Sequence, residues 1–108
     1  MAEPLTYHRA ASTGDLADGE MIEVTIGKRP IALYRLGDQY YATEAYCSHG
    51  HALLTEGYIE GGLVECPMHG GSFEIATGKP VAEPCVTPLA TYPVRVEGDT
   101  VSIGLPAQ

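Results

Sequence analysis

Basic residues are scarce in this 108-residue sequence: six lysines and arginines stand against 14 aspartates and glutamates, for a formal net charge of −8. Nucleic-acid binding needs cationic surface to displace counterions from phosphates, so the balance argues against that partner class. Acidity of this kind serves solubility, or steers the chain toward basic faces on other proteins. Long apolar runs are also missing. No stretch of 18 or more apolar residues occurs, so no membrane-spanning helix is expected. The opening "MAEPLTYHRAAS" lacks the basic-then-apolar pattern of a secretory leader, and an intracellular, cytoplasmic protein is expected. Three cysteines are an odd number, which argues against a disulfide framework. Long helical periodicity and solenoid repeats are lacking too. A chain of this length suits one domain with a modest core and cannot easily house a large catalytic cavity.

What remains is strand and turn. In "MIEVTI", Ile22, Val24 and Ile26 share one face. "GKRP" reads as a turn, "IALYRL" as the next strand, "GDQ" as another turn and "YYATEAYC" as a third strand. "GLVEC" and "SFEI" are shorter strands, the second followed by a turn at "TGKP". "TYPVRVEGDTVSIGL" reads as a hairpin about Gly98-Asp99, with Pro93 at an edge or strand start because it cannot donate to a ladder. "ASTGDLADGE" is the place for one short helical turn. Thirteen glycines and eight prolines fit many tight turns. The predicted fold is all-β, a small antiparallel sandwich or barrel.

The chemistry concentrates in "CSHGHALLTEGYIEGGLVECPMHGG", where Cys47-x-His49 and Cys66-x-x-His69 form two clusters near glycines. Lone cysteines and histidines are usually incidental, but two mixed pairs on two loops are not. Two Cys and two His can close a tetrahedral zinc site. Common zinc patterns, however, pair Cys with Cys and His with His along the chain, and the single residue between Cys47 and His49 is tight for chelating one ion. Mixed pairs suit two metal ions better. Each loop would give its Cys to one iron and its His to the other, and the two loops would clamp a [2Fe-2S] unit.

At this point the sequence resembles the Rieske family, through Cys47-Ser48-His49, sixteen intervening residues, and Cys66-Pro67-Met68-His69, with Gly50 and Gly70 after the two histidines. The resemblance extends over nearly the whole chain. It implies one Rieske [2Fe-2S] domain over 1–108, with cluster-binding loops at about 46–52 and 66–73 at one tip of a small antiparallel β fold. It implies that Cys47 and Cys66 bind one iron and that His49 and His69 bind the other, outermost one. Gly50, Gly70 and Gly71 would let backbone N–H groups approach sulfur, and Pro67 would stiffen the second loop. Pro84 would cover the cluster from a third loop, an ordinary turn being the alternative.

High-potential members of the family carry an extra Cys in each loop, joined as a disulfide; Ala52 and Met68 stand at those places here. They also place a Ser and a Tyr whose hydroxyls reach sulfur, where this chain has Gly71 and Phe73. Ser72 is one position late to substitute, unless the loop is rearranged. Fewer donors to sulfur stabilise the reduced state less, so the expected potential is low, around −150 mV. A small, acidic, low-potential member is similar to the ferredoxin component of a multicomponent aromatic-ring-hydroxylating dioxygenase. The implied partners are an NAD(P)H-dependent flavin reductase and a terminal Rieske non-haem iron oxygenase, docked transiently, with a monomeric carrier that has no catalytic residue. The chain has no room for a second domain with an oxygenase's own mononuclear iron site. Ser48, His51, Ala52 and Met68 would shape the docking contact. Alternatives are a small Rieske subunit of a nitrite reductase or another redox enzyme, a structural zinc module, or an iron–sulfur redox sensor.

Other residues draw plainer expectations. His51 is a rim residue, His8 a surface or strand residue, and Cys85 a semi-buried thiol. The seven tyrosines and single phenylalanine are strand and core residues, and Leu53-Leu54 packs the first loop onto the domain.

Overall fold

The computed structural model describes residues 5–47, 52–67, 71–82 and 87–106. His49, His51, His69, Met68, Pro84 and Cys85 therefore lie outside the described residues. Among the described residues, eleven strands run in chain order: β1 (Leu5–Ser12), β2 (Met21–Ile26), β3 (Arg29–Leu36), β4 (Gln39–Glu44), β5 (Tyr58–Glu60), β6 (Leu63–Glu65), β7 (Ser72–Glu74), β8 (Pro80–Ala82), β9 (Thr91–Tyr92), β10 (Val94–Glu97) and β11 (Thr100–Pro106). Two single 3-10 turns, Thr13–Asp15 and Leu54–Glu56, complete the list, the first inside the stretch expected to hold a helical turn.

The strands form three antiparallel sheets, in the orders β1-β11-β10, β2-β3-β4-β9 and β5-β6-β7-β8. The middle sheet explains why "IALY" reads as an unbroken apolar run. Residues 31–34 are all buried, and alternate residues point to opposite faces. Ile31 and Leu33 meet Ala11, Val101, Ile103 and Leu105 of the first sheet in one core. Ala32 and Tyr34 join Val64, Phe73, Ile75, Leu54 and the two cysteines Cys47 and Cys66 in a second. Ile22, Val24 and Ile26 pack against the first core from one face of β2, as their alternation predicts.

Three expectations need correction. The turn after β2 is confined to Gly27-Lys28, and Arg29 and Pro30 already belong to β3. Pro80, expected in a turn, opens β8. The arm "TYPVRVE" is not one hairpin strand: Thr91–Tyr92 pairs with β4 in the middle sheet, and Val94–Glu97 pairs with β11 in the first. Pro93 stands where the chain changes sheets, a position that asks for no N–H. Its carbonyl accepts from the Gly104 amide at 2.9 Å.

Candidate metal centre

Each cysteine stands at the mouth of a short loop that its own amide closes. The Cys47 N–H donates to the Ala52 carbonyl at 2.8 Å, and the Cys66 N–H donates to the Gly71 carbonyl at 2.7 Å. The span is the same in both, from residue i to i+5. The stem of the first loop is held further by the Tyr46–Leu53 bridge and by Leu54 N–H donating to the Ala45 carbonyl at 2.8 Å. The stem of the second continues into the β6–β7 ladder, Glu65 opposite Ser72. Two matched loops thus present one cysteine each from corresponding places, and His49 and His69 fall within the residues they enclose.

Both thiols face the second core. Cys47 is 3% exposed and Cys66 1%, among Leu54, Val64, Phe73 and Leu89. Leu54 is fully buried and ties the first loop to this core, as expected. Side chains of that size contribute about 1.5–3 kcal/mol each on burial, which holds the loop stems against solvent. Two soft sulfur donors in an apolar, water-poor shell suit iron–sulfur ligation. Among the described residues, no group of three or more His, Cys, Asp or Glu gathers as a metal site, and the cysteine pair is the described part of the candidate set.

The surroundings bear on the reduction potential. Phe73 is fully buried in the same core and has no hydroxyl to offer. Gly71 contributes a carbonyl that is already engaged by Cys66 N–H. Ser72 does not take over the missing donor's place. Strand alternation sets it on the face opposite Phe73, where it lines an outer groove with Tyr58 and Glu65. The buried polar pair of this core is Tyr34 and Thr43, 2.8 Å apart. Thr43 Oγ1 donates to the Glu44 carbonyl, so the Tyr34 phenol donates to Thr43. Burial pushes the Tyr34 phenol well above its ordinary range, the Thr43 bond offsets part of that shift, and the nearby Glu44 carboxylate adds to it. The phenol therefore stays neutral and contributes a satisfied hydrogen bond rather than a charge.

Comparison with known proteins identifies the family. The family model for the Rieske [2Fe-2S] domain matches residues 6–93. The chain belongs to the Rieske [2Fe-2S] family. Ferredoxin CarAc of Metapseudomonas resinovorans is 43% identical over 98 residues, covering 89% of this chain and 92% of that protein. Among solved structures, the Sphingomonas yanoikuyae B1 ferredoxin matches with a TM-score of 0.88 at 41% identity, over 94% of this chain and all of that one. A complex of reduced oxygenase and oxidised ferredoxin in carbazole 1,9a-dioxygenase contains a chain matching at TM-score 0.86 and 41% identity, covering 90% of this chain and 91% of that one. This Rieske protein accordingly has the small antiparallel fold of such ferredoxins and carries a Rieske-type [2Fe-2S] cluster. Among the described residues, no helix is long and apolar enough to cross a membrane.

Sequence reasoning singled out both cysteines as candidate iron ligands, and the structure buries both in one core. That reasoning did not find the matched i to i+5 closures, because Ala52 and Gly71 enter through backbone atoms and carry no side-chain signal. The expectations for His51 and Cys85 fall outside the described residues. His8 lies on β1 opposite Ile103, an ordinary strand position.

Proposed function

We propose that this protein is a cytoplasmic, monomeric one-electron carrier. It would take electrons from an NAD(P)H-dependent flavin reductase and pass them to a terminal Rieske oxygenase that hydroxylates aromatic rings. The observation that carries this is the near end-to-end match to stand-alone ferredoxins, one of them solved with its oxygenase. Cys47 and Cys66 would hold one iron, and His49 and His69 the other. The bound cluster supplies reversible one-electron chemistry near the low end of the Rieske range. The chain's own work is to hold and shield. Leu54, Val64 and Phe73 exclude water behind the cysteines, and each backbone closure holds its cysteine at the base of its own loop. Phe73 withholds a hydroxyl that would raise the potential. No residue of the chain acts on an organic substrate. An acidic surface speeds encounter with basic partner faces without tight binding.

The direct test is single-turnover transfer to the oxygenase component of carbazole 1,9a-dioxygenase, whose ferredoxin is 41% identical to this chain. The reduced holoprotein is expected to be reoxidised faster when the oxygenase is present than by buffer and dioxygen alone. Raising salt from about 0.05 to 0.5 M should slow that transfer, because it shortens the screening length. Reoxidation at the same rate with and without oxygenase would contradict the assignment. A salt-independent transfer would remove the steering part.

A further inference from the structure

The sheet that delivers Cys66 has an outer face that the proposed function leaves unused. Antiparallel register places Tyr58, Glu65 and Ser72 in one row across β5, β6 and β7, with Glu60 opposite Leu63 in the next row. Val64 and Phe73 alternate inward to the core, so this set faces out. Between the side chains lies a groove of about 550 Å³ lined by Tyr58, Ile59, Glu60, Leu63, Glu65 and Ser72. Tyr58 is 66% exposed, far more than a ring of its size needs to be. Glu60 and Glu65 are exposed and, among the described residues, engage no cation. Ser72 is 8% exposed, and among the described residues no hydrogen bond engages its hydroxyl, although it lines the groove. Among the described residues no buried side-chain polar atom lacks a partner, so the Ser72 hydroxyl opens to the groove, where it can accept from a donor.

We propose that this groove docks an arginine-bearing segment of an electron-transfer partner. A guanidinium is planar, cationic and rich in donors. Its face stacks on the exposed Tyr58 ring, its fork meets the Glu60 and Glu65 carboxylates, and a remaining N–H reaches Ser72. The opposite charge has its own place on the chain: a separate groove is lined by His8, Lys28 and Arg29. The groove beside Cys66 has two carboxylates and no basic side chain in its lining. Glu65 directly precedes Cys66 and Ser72 directly follows Gly71, so an arginine seated here lies alongside the stem of the second loop. Docking in the groove orients a partner that makes its electron-transfer contact at the loops. The identity of the occupant as an electron-transfer partner rests on the carrier function proposed above.

The test needs no electron transfer, so it fails independently of that function. Binding of a hexa-arginine peptide to the oxidised holoprotein is measured by isothermal titration calorimetry at low salt. The Glu60→Gln/Glu65→Gln double variant is expected to weaken binding about tenfold. Tyr58→Ala should weaken it about threefold. Glu23→Gln/Glu97→Gln removes the same net charge from exposed strand positions elsewhere, and should change the dissociation constant by less than about twofold. Equal weakening by both double variants would show that only net charge is sensed and would overturn the groove. So would absence of binding by the unaltered protein. If the peptide binds as expected while transfer to an oxygenase fails, the groove stands and the carrier assignment falls.

Discussion

Replacing Cys66 with serine is expected to leave the β-sheets folded and to remove the iron. The side chain is 1% exposed in an apolar core with Val64 and Phe73. Serine is close in size, so no large cavity forms, but its hydroxyl is buried without an assigned partner at a cost of about 1–3 kcal/mol. The backbone closure from residue 66 to the Gly71 carbonyl does not depend on the side chain, so the loop stem survives. The donor changes from a soft thiolate to a hard oxygen that rarely ionises, which iron–sulfur ligation does not favour. Iron and labile sulfide, assayed on purified protein, should fall from two of each per chain to near zero. The visible colour should go with them. Circular dichroism should retain the β signature. Cys47→Ser should behave alike, because Cys47 occupies the corresponding place in a loop of the same span. Cys85→Ser should leave iron content unchanged, since Cys85 has no histidine at ligand spacing. Full iron retention in both Cys47→Ser and Cys66→Ser would contradict the assignment of these cysteines.

The second large effect comes from a residue with no side chain. Gly57 ends the 3-10 turn that follows the first loop, and its N–H donates to the Leu54 carbonyl at 2.9 Å. A Cβ built on Gly57 would overlap the Glu65 carbonyl oxygen and come within 3.2 Å of the Pro67 ring. Glu65 and Pro67 are the neighbours of Cys66 on either side. Gly57 is therefore the point where the end of the first loop's stem rests against the start of the second loop, and the contact is to backbone, which cannot swing aside. Gly57→Ala should destabilise the holoprotein by about 3 kcal/mol, at the upper end for overpacking. It should also speed cluster loss, because the strain falls on the residues that flank Cys66. Gly14→Ala is the matched control. Nothing lies within 4 Å of its added Cβ and its backbone is not left-handed. Urea unfolding combined with the decay of visible absorbance checks both. Equal behaviour of the two variants would remove Gly57 from the account.

Legibility in the sequence followed the range of the interactions. The strands of the middle sheet are marked by local alternation and by the Gly-containing turns between them, so β2, β3 and β4 were readable. β1 was not. Of its eight residues only Ala11 is buried, and its extended form comes from pairing with β11 at the other end of the chain. β5 and β8, three residues each, likewise exist through their neighbours rather than through their own pattern. The two-sided burial of Ile31 to Tyr34 hides behind an apolar run that either a buried strand or a short core helix could show. In the candidate site, Cys47 and Cys66 stood out in the sequence because metal chemistry selects residue type and spacing. The sequence marked Ser72 only as one position late to serve as a donor to sulfur. The row that joins Ser72 to Glu65 and Tyr58 needs the strand register, and no short motif carries that. Gly57 was silent for the same reason: its role is the space it leaves for Glu65 and Pro67.

The most direct measurement is an EPR-monitored redox titration of the holoprotein, with iron and sulfide assayed on the same sample. A rhombic signal with a low average g should appear on reduction, with a midpoint around −150 mV and two iron and two sulfide per chain. That result would join mixed His/Cys ligation to the donor-poor surroundings of Phe73 and Gly71. A clearly positive midpoint would contradict the potential argument, and a silent, colourless protein holding zinc would contradict the carrier itself.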